Sequence, residues 1–329
     1  MQTMKGIITV RLSDLQQIEY PNQEAWLLGR AGTIGASDVA TILGINPYKS
    51  AYTLWAEKTG VLEPWAGNIA TRVGHALENL VTELYEEETG FDCLDLGDFT
   101  VFCHPVLPYF RCTPDRVVMD GGKLLRVVEL KTMGERAAAE LQEGETPLAY
   151  QVQLQAQMAI MGAEDGDLAV LVGNRHFFCV PFQRHDSLID SMLEKVAEFQ
   201  ARVENLEPPD LDDTESTYRT LQRLHPEDNG QTVILPLEAI DAAAQLAIVK
   251  EKQKLLDAEE LRCKNVLLSA IGPATFAEGG GLRLSLKTQE RAGSIKADLK
   301  YEAALLAAGV EFKKTDATKT RVLRTMKAS

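Results

Sequence analysis

Three charged residues whose types could do metal chemistry, Asp115, Glu129 and Lys131, fall within residues 112–133, which read CTPDRVVMDGGKLLRVVELKTM. Asp115 precedes a pair of glycines, and Glu129 and Lys131 follow it with one leucine between them. Side chains alternate between the two faces of a strand, so Glu129 and Lys131 share a face. If the chain turns at the glycines, Asp115 lies opposite Val127 or Glu129 on that face. The sequence therefore predicts that these three charged groups meet.

Such a group of residues has the chemistry of a metal-assisted hydrolase. Carboxylate oxygens and a backbone carbonyl are the ligands that Mg²⁺ and Mn²⁺ prefer. A lysine beside the ion can orient a water or stabilise charge on a phosphate, which suits phosphodiester hydrolysis. On spacing alone, two structural alternatives stay open: a buried bridge between Lys131 and a carboxylate, or charges along an exposed sheet edge.

The hydrophobic pattern predicts the elements that must hold these residues. We expect a hairpin whose turn is Asp120-Gly121-Gly122. Ser37 and Asp38 stand where the N-cap of a short helix would be, and Ser50 can start the next helix. The other expected helices are 67–89, 147–162 and 186–205, and the expected strands are 99–103, 115–119, 124–131, 167–172 and 176–182.

A change in composition divides the chain. The stretch NLEPPDLDDTEST, which starts at residue 205, combines a proline pair with an acidic run and is typical of a linker. We therefore predict a first domain over residues 1–206, which carries the candidate hydrolase residues, a linker over 207–235 and a C-terminal extension over 236–329. The extension starts with a long helix over 236–270, followed by short strands and a helix within 274–329.

The tail of this extension is basic, with 11 Lys and Arg against 5 Asp and Glu across residues 283–329. Two interpretations of the extension are open. It can be a module that contacts DNA, a second subunit or another protein, or it can be a structural addition with a solvated basic face.

Bulk composition excludes several classes of protein. The net charge of −14 argues at first against nucleic acid, but net charge describes the long-range field rather than one groove. Five scattered cysteines without a CxxC pair argue against a zinc site, an iron–sulfur cluster or a disulfide framework, and they fit a reducing cytoplasm. No apolar run approaches the ~20 residues of a membrane span, and the start lacks the layout of a signal peptide. We expect a cytoplasmic protein without a membrane partner.

Five segments resemble the YqaJ-type viral recombinases, a branch of the PD-(D/E)xK nuclease superfamily that includes the phage lambda exonuclease. In chain order they are RAGTIGASD, NPYKSAYTLWAEKTG, GHALEN, TPD followed by ELK, and YQVQLQAQMAIMG. The pattern of TPD and ELK alone is easily met by chance, but all five occur in the family order between about residues 21 and 205. The resemblance implies an α/β fold: a restriction-endonuclease-like PD-(D/E)xK core, with a mixed central sheet flanked by helices, and a mainly helical C-terminal extension.

The resemblance also implies a role for each residue of the hairpin. Asp115 and Glu129 are expected to hold the metal, with the carbonyl of Leu130 as a further ligand. Lys131 is expected to position the attacking water. Glu78, on the helix over 67–89, is expected to help bind the metal or a water.

Two of the expected catalytic residues have plain structural alternatives. Glu78 can also belong to a solvated helix face. Gln153, which best matches the functional glutamine of the family, is expected to fix the catalytic lysine or the water, but it can be a surface residue. Gln151 and Gln155 flank it, so the choice among the glutamines stays open.

A terminal 5′-phosphate is the expected ligand of a second group of residues. Arg30 and Ser37 resemble the family residues that grip this phosphate, although Ser37 can also be a simple N-cap. Thr113 occupies the place of a small hydroxyl residue before the Pro-Asp pair. Arg116 stands where the family often has glycine, and we expect it to point away from the metals and to contact DNA or a neighbouring subunit. The family often has another acidic residue shortly before the motif aspartate, and HPVLPYFRC offers none.

The function implied by the resemblance is a Mg²⁺-dependent 5′→3′ exonuclease that acts on double-stranded DNA ends, with Mn²⁺ as a substitute ion. It would leave 3′ single strands for recombination, work with a single-strand annealing protein and form a homo-oligomer, a ring of three subunits, in a bacterial or phage-infected cell. An endonuclease of the same family is the first alternative. A DNA-binding or assembly module without catalysis is the second, but the core positions of the motif are intact. An iron–sulfur nuclease of the superfamily is disfavoured by the scattered cysteines.

Overall fold

Two compact units make up the chain, Met1–Asn229 and Gly230–Ser329. The structure is a computed structural model and describes residues 11–65, 67–138, 145–291 and 318–326. The helices of the first unit are α1 (Gln23–Arg30), α2 (Val39–Ile42), α3 (Ala51–Lys58), α4 (Ile69–Thr89), α5 (Glu135–Ala138), α6 (Leu148–Met161), α7 (Asp186–Glu204) and α8 (Glu215–Leu224). Its strands are β1 (Gln17–Glu19), β2 (Ile34–Gly35), β3 (Cys93–Leu94), β4 (Thr100–Cys103), β5 (Phe110–Cys112), β6 (Arg116–Asp120), β7 (Lys123–Met133), β8 (Asp165–Val172) and β9 (His176–Gln183).

A mixed five-stranded sheet forms the centre of the first unit. Its strand order is β3-β6-β7-β8-β9, with β7 and β8 parallel and the other neighbours antiparallel. Helix α6 packs on one face, where Val127 and Val170 are buried, and α4 packs on the other, where Val128 and Ala169 are buried. The predicted α/β fold, a mixed sheet flanked by helices, is confirmed.

The hairpin of β6 and β7 forms as expected. Gly121 and Gly122 both have positive φ, 55° and 84°, which is the backbone conformation of the tight turn that fits the twist of a hairpin. Arg116 pairs with Val128 and Val117 pairs with Val127. Strand β6 begins one residue later than predicted, so Asp115 immediately precedes it.

A smaller sheet of order β1-β4-β5-β2 positions the candidate phosphate residues, which flank its strands. Strand β2 runs parallel to β5 and pairs Ile34 with Phe110. Arg30 ends α1 just before β2, and Thr113 follows the last residue of β5. This sheet therefore brings together residues that are about 80 apart in sequence.

The start of α2 does not have the N-cap that we predicted at Ser37 and Asp38. Residues 36–38 form a short 3₁₀ turn, so Ser37 lies inside a turn rather than at the N-cap. Asp38 points backwards, and its carboxylate accepts a 2.8 Å hydrogen bond from the Gly35 N–H. Ser50 caps α3 as predicted, since its hydroxyl accepts from the Thr53 N–H at 3.1 Å.

The first unit extends beyond the boundary that we predicted at residue 206. Helix α8 lies inside the predicted linker, residues 207–235, and packs on α3 through hydroxyl groups. Thr53 Oγ1 is 2.8 Å from both Ser216 Oγ and Thr220 Oγ1, and the Thr217 hydroxyl donates to Ser50 Oγ at 2.8 Å. This contact has no apolar periodicity, which explains why the segment resembles a linker.

The second unit contains α9 (Leu237–Ile271) and an antiparallel sheet of β10 (Phe276–Gly279), β11 (Leu282–Arg291) and β12 (Thr318–Met326). The predicted long helix and short strands are therefore present. The helix expected within 274–329 is absent from residues 274–291, and residues 292–317 lie outside the described part of the chain. Among the described residues, no helix combines the length and the apolar character that a membrane crossing needs.

Candidate active site

The motif aspartate lies at the entrance to the hairpin. Continuing the pairing of β6 with β7 by one residue puts Asp115 opposite Glu129. Asp115 Oδ2 accepts a 2.8 Å hydrogen bond from the Leu130 N–H, which fixes the carboxylate against β7. The structure therefore brings the two predicted carboxylates together on one face.

Glu129 is 1% exposed and is held by side chains from two elements. Its Oε1 accepts from Gln153 Nε2 at 2.5 Å and also contacts the Lys131 ammonium. Its Oε2 accepts from Gln157 Nε2 at 2.6 Å. A buried carboxylate is tolerated when it is paired and hydrogen-bonded. Because a carboxylate has about four acceptor positions, these three donors leave Glu129 room for one more partner.

Lys131 contacts Glu129 and also lies within the electrostatic influence of Asp115. Burial alone would lower the pKa of Lys131, but the charges of Glu129 and Asp115 outweigh it and raise this pKa. The ammonium also lies 5.4 Å from the centre of the Tyr150 ring on α6. Lys131 is therefore held as a cation that can donate hydrogen bonds.

The donor set suits a hard divalent cation. Burial, followed by the charge of Glu129, raises the pKa of Asp115 to about 8, so a second negative charge beside Glu129 is disfavoured until a cation joins the site. Among the described residues, no three His, Cys, Asp or Glu side chains form a metal cage. Mg²⁺ needs no such cage, because it is usually held by one or two carboxylates and keeps several waters. Asp115 and Glu129 fit this description, and Leu130 lines the larger cavity beside them.

Glu78 reaches this centre from α4. It lines both cavities at the site, and its negative charge contributes to the raised pKa of Asp115. Its Oε1 is 2.7 Å from Nδ1 of the exposed His75, one turn earlier on the helix. Glu78 therefore faces the hairpin and does not belong to a fully solvated helix face.

Arg116 does not take the position that we expected for a DNA contact. Its side chain is buried, with the guanidinium bonded to the Asp115 carbonyl at 2.6 Å and to Asn79 Oδ1 at 2.8 Å. A third oxygen, Asp95 Oδ2, lies 3.3 Å away. Because these protein oxygens already bond the guanidinium, few of its N–H groups are left to bind a phosphate of DNA.

The predicted phosphate residues surround a cavity of about 430 Å³ next to Asp115. A Cβ added to Gly35 would lie 3.3 Å from Arg30 Nη2 and 3.6 Å from Ser37 Oγ, so this glycine leaves room for both groups. Thr113 also lines the cavity, and its hydroxyl accepts from Trp26 Nε1 at 3.4 Å. The cavity therefore presents a guanidinium and two hydroxyls, which suit an anion.

A buried ion pair supports the turn that carries Ser37. Asp38 Oδ2 is 2.8 Å from the Lys58 ammonium on α3. Burial alone would raise the pKa of Asp38, but the charges of Lys58 and Arg30 and the Gly35 N–H hold it below its usual value. Asp38 thus stays ionised and ties β2 to α3.

A second and larger cavity, about 1120 Å³, opens on the other side of the carboxylates. It shares His75, Glu78, Asp115 and Gln153 with the smaller one. Its other walls include Lys131, Tyr150 and residues of α8 such as Arg219 and Arg223. The candidate metal site therefore lies where two cavities meet.

Residues 25–164 match the sequence model of the YqaJ-like viral recombinase domain. The chain contains a YqaJ-like viral recombinase domain. The uncharacterized protein YqaJ of Bacillus subtilis (strain 168) is 27% identical over 260 residues, which is 78% of this chain and 80% of that protein. The crystal structure of the alkaline exonuclease LHK-Exo from Laribacter hongkongensis is 25% identical at a TM-score of 0.49, covering 61% of this chain and 100% of that chain. A complex of LHK-Exo with dAMP gives the same identity and TM-score and is covered to 97%. The resemblance inferred from the motifs is confirmed.

One residue of the YqaJ-like domain was missed by the sequence reasoning. Gln157 holds the second oxygen of Glu129 and lines the smaller cavity, and its own Oε1 is buried without a hydrogen-bond partner. The available signal was helical spacing, because Gln153 and Gln157 are four residues apart and share one side of α6. Gln151 binds Thr146 instead.

Every site residue that we predicted falls within the YqaJ-like domain. Helix α8, which lines the larger cavity, lies beyond the matched residues. The domain thus contains the candidate chemistry, and a later segment supplies part of the groove wall.

Proposed function

We propose that this protein is a divalent-metal-dependent exonuclease that digests linear duplex DNA from its 5′ ends and leaves 3′ single strands. The YqaJ-like domain supports a nuclease that acts on DNA. The observation that carries the proposal is the meeting of Asp115, Glu129 and Lys131 beside a cavity that presents Arg30 and Ser37. A strand end that carries a phosphate matches both halves of this arrangement.

Asp115, Glu129 and the Leu130 carbonyl are the proposed protein ligands of Mg²⁺, with Glu78 contributing from α4. Mn²⁺ prefers the same oxygen ligands and should substitute. When bound, the ion would supply Lewis-acid stabilisation of the charge that develops on the phosphate. The carboxylates would hold the ion where the two cavities meet, next to the scissile phosphate of a bound DNA strand.

Lys131 is the proposed partner of the attacking water. Its raised pKa keeps a proton on Nζ, so it can donate a hydrogen bond to the water or to a phosphate oxygen. Gln153 and Gln157, both on α6, donate hydrogen bonds to Glu129 and so fix the position of its carboxylate beside Lys131. In the reaction, water adds to phosphorus, the bond to the 3′ oxygen breaks, and that oxygen takes up a proton.

The end preference is proposed to come from Arg30, Ser37 and Thr113. A guanidinium with hydroxyl donors binds phosphate through charge-assisted hydrogen bonds. A cavity of about 430 Å³ limits what can occupy it to a group of roughly nucleotide size. A DNA strand whose terminal phosphate lies in this cavity would be cut next to that end. The new 5′ end would then move into the cavity.

The resemblance to the YqaJ-type recombinases also supports two proposals about partners. The enzyme would form a homo-oligomer, a ring of three subunits around DNA, and would hand its 3′ strand to a single-strand annealing protein. A ring that encloses the duplex stays on DNA without strong positive charge, so it is compatible with a net charge of −14. The mass of the protein in solution, measured by light scattering, tests the trimer.

The decisive experiment is digestion of linear duplex DNA in Mg²⁺, with 5′-phosphorylated and 5′-hydroxyl ends and a covalently closed circle compared. We expect loss from phosphorylated ends, with a 3′ label retained on long fragments, and no activity in EDTA. Lys131→Ala should lower the rate about 10²–10³-fold, because a group that stabilises the transition state is removed.

Lys195→Ala is the matched control, because Lys195 is an exposed lysine on α7 that pairs with the nearby Glu198. It should cleave as the wild type does. Cutting of the closed circle would instead indicate an endonuclease. Equal rates on both kinds of end would contradict the phosphate grip, and no cleavage by the wild type would overturn the proposal.

A further inference from the structure

Arg116 lies next to the candidate metal site, and no step of the proposed reaction uses its guanidinium. Its side chain is only 6% exposed, and its nitrogens contact three oxygens. A buried cation is costly unless acceptors surround it, so this arrangement is maintained against a desolvation penalty. Such a residue needs a role that an apolar side chain could not fill.

The three acceptors belong to three separate segments. The Asp115 carbonyl lies at the start of β6, Asn79 is on α4, and Asp95 lies just after β3. Asn79 directly follows Glu78 in the sequence. The guanidinium therefore joins the two elements that carry Asp115 and Glu78, the carboxylates that approach the site from different sides.

We infer that Arg116 is a positioning residue that sets the separation between Asp115 and Glu78 for a divalent cation. This inference rests on the proposed function, because it names the role of Arg116 in the same metal site. Mg²⁺ demands near-ideal octahedral geometry, so a small shift of α4 relative to β6 degrades the site. The planar fork of arginine makes several bonds in fixed directions, whereas the single ammonium of lysine cannot.

The rival role, a contact with DNA, is weaker on the same observations. The Asp115 carbonyl and Asn79 Oδ1 accept from both terminal nitrogens of Arg116 at 2.6 and 2.8 Å. A phosphate would have to displace these bonds and reach a group that is 5% exposed. The two roles also differ in a measurable way, because only the positioning role affects metal binding without DNA.

The test is calorimetric titration of Mn²⁺ into the full-length, metal-free protein in the absence of DNA. Arg116→Met should bind Mn²⁺ about tenfold or more weakly, the usual effect of losing a group that orients ligands. Arg116→Lys should recover little of this affinity, because it restores the charge but not the fork. Asp115→Asn should abolish binding and so identifies the site that is titrated.

Asn79→Ala tests the same inference without threatening the fold, since Asn79 is exposed and the substitution leaves Arg116 in place. It should also weaken Mn²⁺ binding, and Asn79→Ala combined with Arg116→Met should bind like Arg116→Met alone. Arg175→Met, which removes an exposed arginine on the turn before β9, should bind as the wild type does. Thermal unfolding in EDTA identifies any variant that fails to fold, and Asn79→Ala then decides.

Wild-type Mn²⁺ affinity in both Asn79→Ala and a folded Arg116→Met would overturn the inference. Normal Mn²⁺ affinity with weaker DNA binding in Arg116→Met would favour the DNA contact instead. If the wild type binds Mn²⁺ and these variants lose it, while no DNA is cut, the proposed exonuclease fails and the positioning role stands. If the wild type binds no Mn²⁺, both fail.

Discussion

Loss of the buried ion pair between Asp38 and Lys58 should destabilise the protein and disturb its phosphate cavity. The two charged groups are 2.8 Å apart, and their side chains are 11% and 10% exposed. Removing one partner of a buried pair costs about 3–5 kcal/mol, because the other charge stays buried alone. Asn at this position keeps an oxygen for the Gly35 N–H, so we expect Asp38→Asn to cost about 3 kcal/mol, the lower end.

A double variant separates this effect from simple loss of packing. Asp38→Asn with Lys58→Met removes both charges, and we expect it to be about 1–3 kcal/mol more stable than Asp38→Asn alone. The free energy of unfolding is measured by urea in EDTA for four proteins: the wild type, both single variants and the double variant. These four values complete the double-mutant cycle. Additive effects, with a coupling below about 0.5 kcal/mol, would refute the reasoning.

The same pair gives a pH signature with a defined sign. The pKa of Asp38 is held below its usual value of 3.8 in the folded protein. Its contribution is therefore complete above the unfolded pKa and is lost as pH falls through the lowered folded pKa. The stability difference between wild type and Asp38→Asn should be full near pH 7 and shrink below about pH 4. Because the turn also holds Ser37, Asp38→Asn should also reduce the preference for phosphorylated ends.

Two further predictions concern α6 and α8. Gln157→Leu and Gln153→Leu should each slow cleavage about tenfold or more, because each loses a charge-assisted bond to the catalytic carboxylate. Gln151→Leu, on the same helix but bonded to a loop threonine, should stay within about twofold, and an equal effect of all three would contradict the assignment. Thr220→Val should lower the free energy of unfolding by about 1–2 kcal/mol through its lost bond to Thr53, measured by urea unfolding. Unchanged stability would show that this bond contributes nothing.

The hairpin that carries the candidate site could be predicted from sequence because its information is local. Two glycines fix the turn, the turn fixes the register, and alternation then puts Glu129 and Lys131 on the face of Asp115. The family motifs added Glu78 and Gln153 from distant helices, and the structure brings both to the hairpin.

Burial and long-range polar contacts were harder to predict. An arginine is usually exposed, so nothing in the sequence indicated that Arg116 would be enclosed by acceptors from three segments. Gln157 was missed because its importance depends on which side of α6 faces β7. Helix α8 was taken for a linker because Thr217 and Thr220 are buried through hydrogen bonds, and helix prediction relies on apolar spacing.

The hydroxyl contact between α3 and α8 also sets how easily part of the groove can open. Threonine and serine side chains bury little apolar surface, and water can replace their hydrogen bonds at small net cost. Regions with few buried apolar contacts open locally at free energies well below that of global unfolding. Helix α8, with Tyr218 exposed on it, is therefore expected to detach before the central sheet is disturbed. Because α8 lines the larger cavity, its detachment would widen the approach to the carboxylates. The width of this approach therefore depends on a local equilibrium of α8, separate from the stability of the central sheet.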